Sequence, residues 1–188
     1  MRLKYNAPTI LTYALISAAV MGIALYFVPT LVRDWFTVPG RGDFVPSSLR
    51  HWVTLLTHAA GHTSWNHLVG NFSIILLIGP MLEEAYGSFA LLAMIVITAL
   101  ITGVLNVLFF PTSLLGASGV VFMMILLASF TNFSLGEIPL TFILVLILYL
   151  GEQVMNSLGA SNISHFAHIV GGFCGSLFGF FLSPKRRY

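Results

Sequence analysis

Charge is what this sequence has least of. Only 7% of its 188 residues are Asp, Glu, Lys or Arg, against about 25% in a soluble domain. That excludes an ordinary water-facing surface. Six acidic and eight basic side chains leave a formal net charge of +2, too small to suggest a nucleic-acid partner. Cysteine is nearly absent: Cys174 stands alone in an apolar run, so no intrachain disulfide is possible and no redox role is indicated. Internal repeats and low-complexity stretches are missing. No cleavable signal stands out, and none is expected, because the first apolar run, from Ala7 to Val32, is too long for a signal core and lacks a convincing cleavage site.

What is present is long apolar runs, with 57% of the residues hydrophobic. A helix rises ~1.5 Å per residue and the hydrocarbon core is ~30 Å thick, so ~20 residues cross it. The pattern predicts an all-α membrane protein, a single domain over 1–188 with six transmembrane helices. The expected spans are Thr9–Pro29, Asn66–Leu82, Phe89–Phe110, Ala117–Phe130, Ile138–Gln153 and His165–Leu182. The fourth is short, which predicts a start below the membrane surface, reached by a non-helical Pro111–Gly116 segment enclosed by protein or water. Arg2 and Lys4 precede the first span, and Lys185, Arg186 and Arg187 follow the last. Both termini therefore read as cytoplasmic, although Arg33, Arg41 and Arg50 then lie outside. The loop from about Thr30 to Trp65 is long enough to be partly structured, and Trp52, Leu55, Leu56 and Trp65 suggest that it lies in the membrane interface. In the last span Gly171, Gly175 and Gly179 recur every four residues, a close-packing seam between helices.

Polar residues inside spans are costly and mark function by default. Here they gather at three helix starts. The second span opens with His67 and Asn71, one turn apart on one face. The fourth opens with Gly116-Ala117-Ser118-Gly119, and the sixth with His165 and His168. With six spans, helices two, four and six run in the same direction, so their first turns lie at similar depth near the outer face. The chemistry these residues allow is nucleophilic. A serine hydroxyl needs a base, usually histidine, to take its proton. Glycines beside Ser118 let a substrate backbone come close. The unsatisfied first-turn N–H groups near Gly116 and Ala117, with donors from His67 and Asn71, suit a developing oxyanion. No carboxylate lies in these opening turns, so the expected unit is a Ser118–His168 dyad.

The set resembles the rhomboid intramembrane serine proteases. Gly116-Ala117-Ser118-Gly119 matches the family's G-x-S-G motif, Ala167-His168-Ile169-Val170-Gly171 its A-H-x-x-G motif, and His67 and Asn71 its pair on the second helix. Glu83 and Gly87 resemble the E-x-x-x-G turn, and Thr57-His58 with His62 the lead-in from the loop. The likeness covers roughly Trp52 to Ser183, with the motifs in order on the second, fourth and sixth helices. It implies a six-helix core and cleavage of transmembrane protein substrates near the outer face. It also implies water reaching the dyad from that side, and no cofactor or metal.

Several positions depart from the family pattern. Val53-Thr54 stands where many members have Trp-Arg, with Trp52 one residue earlier. Phe122 replaces a Tyr that stacks on the catalytic His: the pocket keeps the ring and loses the hydroxyl. Met124 is bulky for a helix packed closely on its neighbours. His165 is placed at the pocket mouth. His58 and His62 are spaced as a zinc pair would be on a helix, but no third ligand is evident. Glu83 and Glu84 are expected at the cytoplasmic side, Glu83 pairing or capping there; Glu152 is expected toward the outer end of the fifth span. The alternative to a protease is a non-catalytic rhomboid-like protein that binds membrane helices. A metal-handling channel is disfavoured by the lack of intramembrane carboxylate–histidine clusters. The expected location is the plasma membrane of a prokaryote.

Overall fold

A computed structural model of the chain describes residues 4–131, 138, 140–145, 147, 148 and 162–182, the last segment with side chains from Phe166 onward. The described residues are helical apart from loops and a single bridge between Val38 and Leu114. In order they form α1 (Pro8–Tyr26), α2 (Leu31–Trp35), α3 (Leu49–Thr57), a 3-10 turn (His58–Ala60), α4 (Trp65–Tyr86), α5 (Ser88–Phe109), α6 (Ser118–Ala128) and α7 (Asn162–Phe181). Three of these, α1, α4 and α5, are long and apolar enough to cross a membrane, while α6 and the described part of α7 are shorter apolar helices.

The first helix stops before the expected Pro29. The N–H groups of Phe27 and Val28 both turn back to the carbonyl of Ile23. Proline disfavours the helical conformation of the residue before it and donates nothing itself, so the chain turns and restarts as α2. The second long helix, α4, instead runs past Leu82 to Tyr86. Its extra turn carries Glu83, which faces inward: the carboxylate accepts the N–H of Thr9 at 2.9 Å and of Ile10 at 3.1 Å. Those are orphan donors of the first turn of α1, where Ala7 offers no side-chain cap. Glu83 thus ties the start of α1 to the end of α4. Gly87, at φ +92, ends α4 and starts α5 in one residue, a conformation glycine adopts without penalty.

The segment expected as a long loop holds α2, α3 and the 3-10 turn, and it dives into the bundle. Thr54 and Leu55 are buried on α3, and the backbone of Leu55 packs where Gly103 of α5 has no side chain. Tyr13 of α1 donates to the carbonyl of Ala59 at 2.7 Å. Thr54, at the departure from the family's Trp-Arg pair, is buried with its hydroxyl donated to the His51 carbonyl, and Trp52 points outward with its indole N–H on Pro46.

Helix α6 is apolar all round after Ser118 and mostly buried, including Met123, Met124, Leu126 and Leu127. A helix of this kind lies inside the bundle and needs no lipid face. Its 11 residues rise only about 16 Å. The irregular stretch before it is held by protein: Val38 and Leu114 exchange both backbone hydrogen bonds, and the Asn106 amide donates to the Thr112 carbonyl. Backbones of α6 and α7 nearly touch. A Cβ on Gly171 would collide with the Gly119 carbonyl, one on Gly175 with that of Met123, and one on Gly179 with the Phe130 ring. The glycine seam expected from the sequence therefore faces α6. Most of the expected fifth span, with Glu152, lies outside the described residues; of it, 140–145, 147 and 148 are helical. Phe142 there packs on Phe130 and Phe180.

Candidate active site

Three helix starts meet at one end of the bundle. At α4 the Ser64 hydroxyl accepts the N–H of His67 at 3.1 Å, an N-cap that fixes where the helix begins. His67 and Asn71 then lie one turn apart on the face toward Gly116. A Cβ on Gly116 would sit 2.8 Å from His67 Cε1 and Nε2 and 3.9 Å from Asn71 Nδ2. Its φ of +113 is also a glycine conformation. Gly116 is required here twice over, for backbone and for space. Its N–H is engaged with the His58 carbonyl at 2.9 Å, so its share in the site is room rather than a free donor. Ala117, fully buried, caps α6 with its carbonyl on the N–H of Val121.

A row of histidines supports this corner. His58 Nε2 lies 3.0 Å from the Ala99 carbonyl; a carbonyl only accepts, so the proton is on Nε2. Burial pushes the His58 pKa down to about 4. His62 Nε2 lies 3.1 Å from Asn71 Nδ2. An amide nitrogen only donates, so this ring carries its proton on Nδ1. Burial, then the neighbouring His67, bring its pKa to about 4. The His62 ring meets His67 and Phe72 edge-on. Asn71 keeps its second amide hydrogen. Thr63 Oγ1 lies 3.2 Å from His67 Nδ1, and a hydroxyl donated there leaves the His67 proton on Nε2, toward Gly116. His58 and His62 thus have hydrogen-bond roles, and among the described residues no group of three His, Cys, Asp or Glu is arranged to hold a metal.

Ser118 is the first residue of α6, half-buried, and Phe122 follows one turn later on the same face. The Phe122 ring stacks on the half-buried His168 of α7, with centroids 4.2 Å apart and planes tilted by 36°. Gly119 approaches the Ala167 carbonyl, one residue before His168. The same face of α6 therefore carries Ser118 and meets His168, drawn in by the glycine seam. Phe166 stacks on Phe110 at the end of α5. His165 lies in α7 one turn before His168; its side chain is outside the described residues. The partners of His58, His62 and Thr63 go beyond what the motifs indicate. Three histidines in ten residues, 58–67, was the signal that this stretch is more than a lead-in.

Residues 49–185 match the model of the rhomboid domain. The chain belongs to the rhomboid family. It is similar to the rhomboid protease GlpG of Haemophilus influenzae, 27% identical over 135 residues, covering 70% of each chain. It is also similar to rhomboid-related protein 1 of Caenorhabditis elegans, 31% identical over 156 residues, covering 77% of this chain and 44% of that one. With its apolar helices, this rhomboid is an integral membrane protein. The matched segment contains the starts of α4, α6 and α7, and it begins at the first residue of α3. The buried loop of this rhomboid is thus part of the family domain, while α1 and α2 precede the matched region.

Proposed function

We propose that this rhomboid is an intramembrane serine protease that cuts peptide bonds in or near transmembrane segments of membrane proteins. The observation that carries the reading is the Phe122 ring on His168, one turn along α6 from Ser118. It supports a Ser–His dyad across the α6–α7 seam. In the proposed reaction the Ser118 oxygen attacks the scissile carbonyl carbon while His168 takes the hydroxyl proton. The tetrahedral oxyanion accepts hydrogen bonds from His67 Nε2, from the free Asn71 amide hydrogen and from the first N–H groups of α6. Collapse breaks the C–N bond, and His168 returns its proton to the leaving amine. Water then hydrolyses the acyl-enzyme by the same steps in reverse roles. Neutral, buried His58 and His62 hold the donors in place without adding charge near the oxyanion.

The reading includes a single domain over 1–188, six spans with both termini cytoplasmic, and a site near the outer face. The substrate helix enters from lipid and unwinds near the dyad, His165 lies at the pocket mouth, and no cofactor takes part. A prokaryotic plasma membrane is the proposed location. The test is labelling of the detergent-solubilised protein by a fluorophosphonate probe. Labelling of the parent, and of neither Ser118→Ala nor His168→Ala, is the expected result. An unlabelled but folded parent would favour a protein that binds membrane helices without cutting them.

A further inference from the structure

A second polar concavity lies outside the candidate site. Between α2, the start of α3 and the stretch 111–113 is a cavity of about 620 Å³, within the size range of ligand pockets. Its charged lining is balanced: Arg33 and Arg50 against Asp34 and Asp43. The pairing is uneven, however. Asp34 takes both arginines, with Arg33 Nε at 3.1 Å and Arg50 Nη1 at 3.8 Å. One carboxylate under two guanidiniums leaves a cationic corner. Asp43 makes no ion pair among the described residues and forms an anionic corner. His51 turns its ring to the backbone, where Nδ1 accepts the N–H of Val45. On the wall, the Thr112 hydroxyl is buried without a hydrogen-bond partner among the described residues.

The level of the cavity is marked by tryptophan. All three in the chain, Trp35, Trp52 and Trp65, are exposed at this end of the bundle, at 46%, 51% and 42%. Leu49 on α3 and Tyr26 at the end of α1 are exposed there too. Amphipathic rings in such a belt sit among lipid headgroups. We propose that the cavity binds the phosphoethanolamine headgroup of a membrane lipid, its phosphate on Arg33 and Arg50 and its primary ammonium on Asp43. A purely anionic headgroup leaves Asp43 facing like charge. A choline headgroup has no N–H to give Asp43, and quaternary ammonium favours an aromatic cage over a carboxylate. The inference stands whether or not the protein is a protease.

The test is native mass spectrometry of the full chain with equimolar phosphatidylethanolamine, phosphatidylcholine and phosphatidylglycerol of identical acyl chains. The parent is expected to retain the ethanolamine lipid roughly threefold or more over the other two. Asp43→Asn should bring it down to the choline level. Arg50→Ala should weaken all three, and Arg41→Ala, outside the cavity, should change nothing. Asp43 is exposed and makes no ion pair among the described residues, so its variant remains informative if Arg50→Ala fails to fold. Equal retention by the folded parent, preference for the glycerol lipid, or an unchanged Asp43→Asn would overturn the proposal. So would thermal stabilisation by micromolar free phosphoethanolamine, which would assign the cavity to a soluble ligand.

Discussion

Gly116 shows how narrowly single residues set this corner. Its positive φ and the 2.8 Å gap to His67 leave no room for a methyl group. Gly116→Ala should cost about 1–3 kcal/mol of stability from the backbone conformation alone, because φ +113 lies beyond the left-handed helical region. It should also push His67 aside and slow probe labelling of Ser118 by about 10²-fold, the cost of one oxyanion donor. A labelling time course beside a thermal melt separates the two effects. His58 allows a second prediction. Its folded pKa, about 4, lies below the ordinary 6.5 because the ring is buried. Between those values the unfolded chain holds a proton that the folded chain refuses, so stability is lost as pH falls through that window. It is flat above it, and the loss levels off near pH 4 at about 3 kcal/mol. His58→Gln, which keeps a donor for the Ala99 carbonyl, should flatten the melting temperature between pH 6.5 and 5, above most carboxylate titration. A slope identical to the parent's there would remove His58 as its source. The sequence marks His58 and His62 but not what they touch, because Ala99 and Asn71 become their partners only through the fold.

Among the elements, the packing of α6 on α7 is what brings the two halves of the proposed dyad together. The glycine spacing in α7 was legible as a seam, since small residues four apart have one main use in membrane helices. Which helix it faces was not legible. Lipid and protein interior are equally apolar, so a helix's outward and inward faces carry no contrasting residues, and α6 itself is apolar all round after Ser118. Helix ends are hard to read for a related reason. Glu83 caps, as expected, but the helix it caps starts 74 positions away and the carboxylate is buried there, which no local pattern indicates. Gly171→Val tests the seam. Its side chain would meet the Gly119 backbone, which cannot swing aside as a side chain would. The helices must part, at about 1–3 kcal/mol or more. A lowered melting temperature together with lost labelling is expected. Retained labelling in a destabilised protein would mean that close α6–α7 contact is not what activates Ser118.

At the scale of the molecule, the ends of the helices define two sides. The start of α1 and the end of α4 are joined by Glu83 on one side. The end of α1 and the starts of α4 and α6 gather on the other, with the exposed tryptophans and the charged cavity. The charge pattern assigns the first side to the cytoplasm through Lys4 and its neighbours, but Arg33, Arg41 and Arg50 pull the other way. The burial of α3 and its turn bears on that conflict, because Arg50 lies on α3. This segment packs on α5 through Leu55 and Gly103 and is held by His58 and Tyr13, so it belongs to the folded domain. A segment placed by packing after insertion has a weak vote on orientation. Its side is therefore expected to follow the termini and lie outside. Single-cysteine accessibility decides this. Cys174 is buried at 2% exposure, so the parent should show little background with a membrane-impermeant maleimide on intact cells. Ser47→Cys, in the exposed loop between α2 and α3, should label without lysis. Lys4→Cys, exposed before α1, should label only after it. The reverse pattern would invert the bundle, place the Ser118 end in the cytoplasm, and require substrates to be cut on that side.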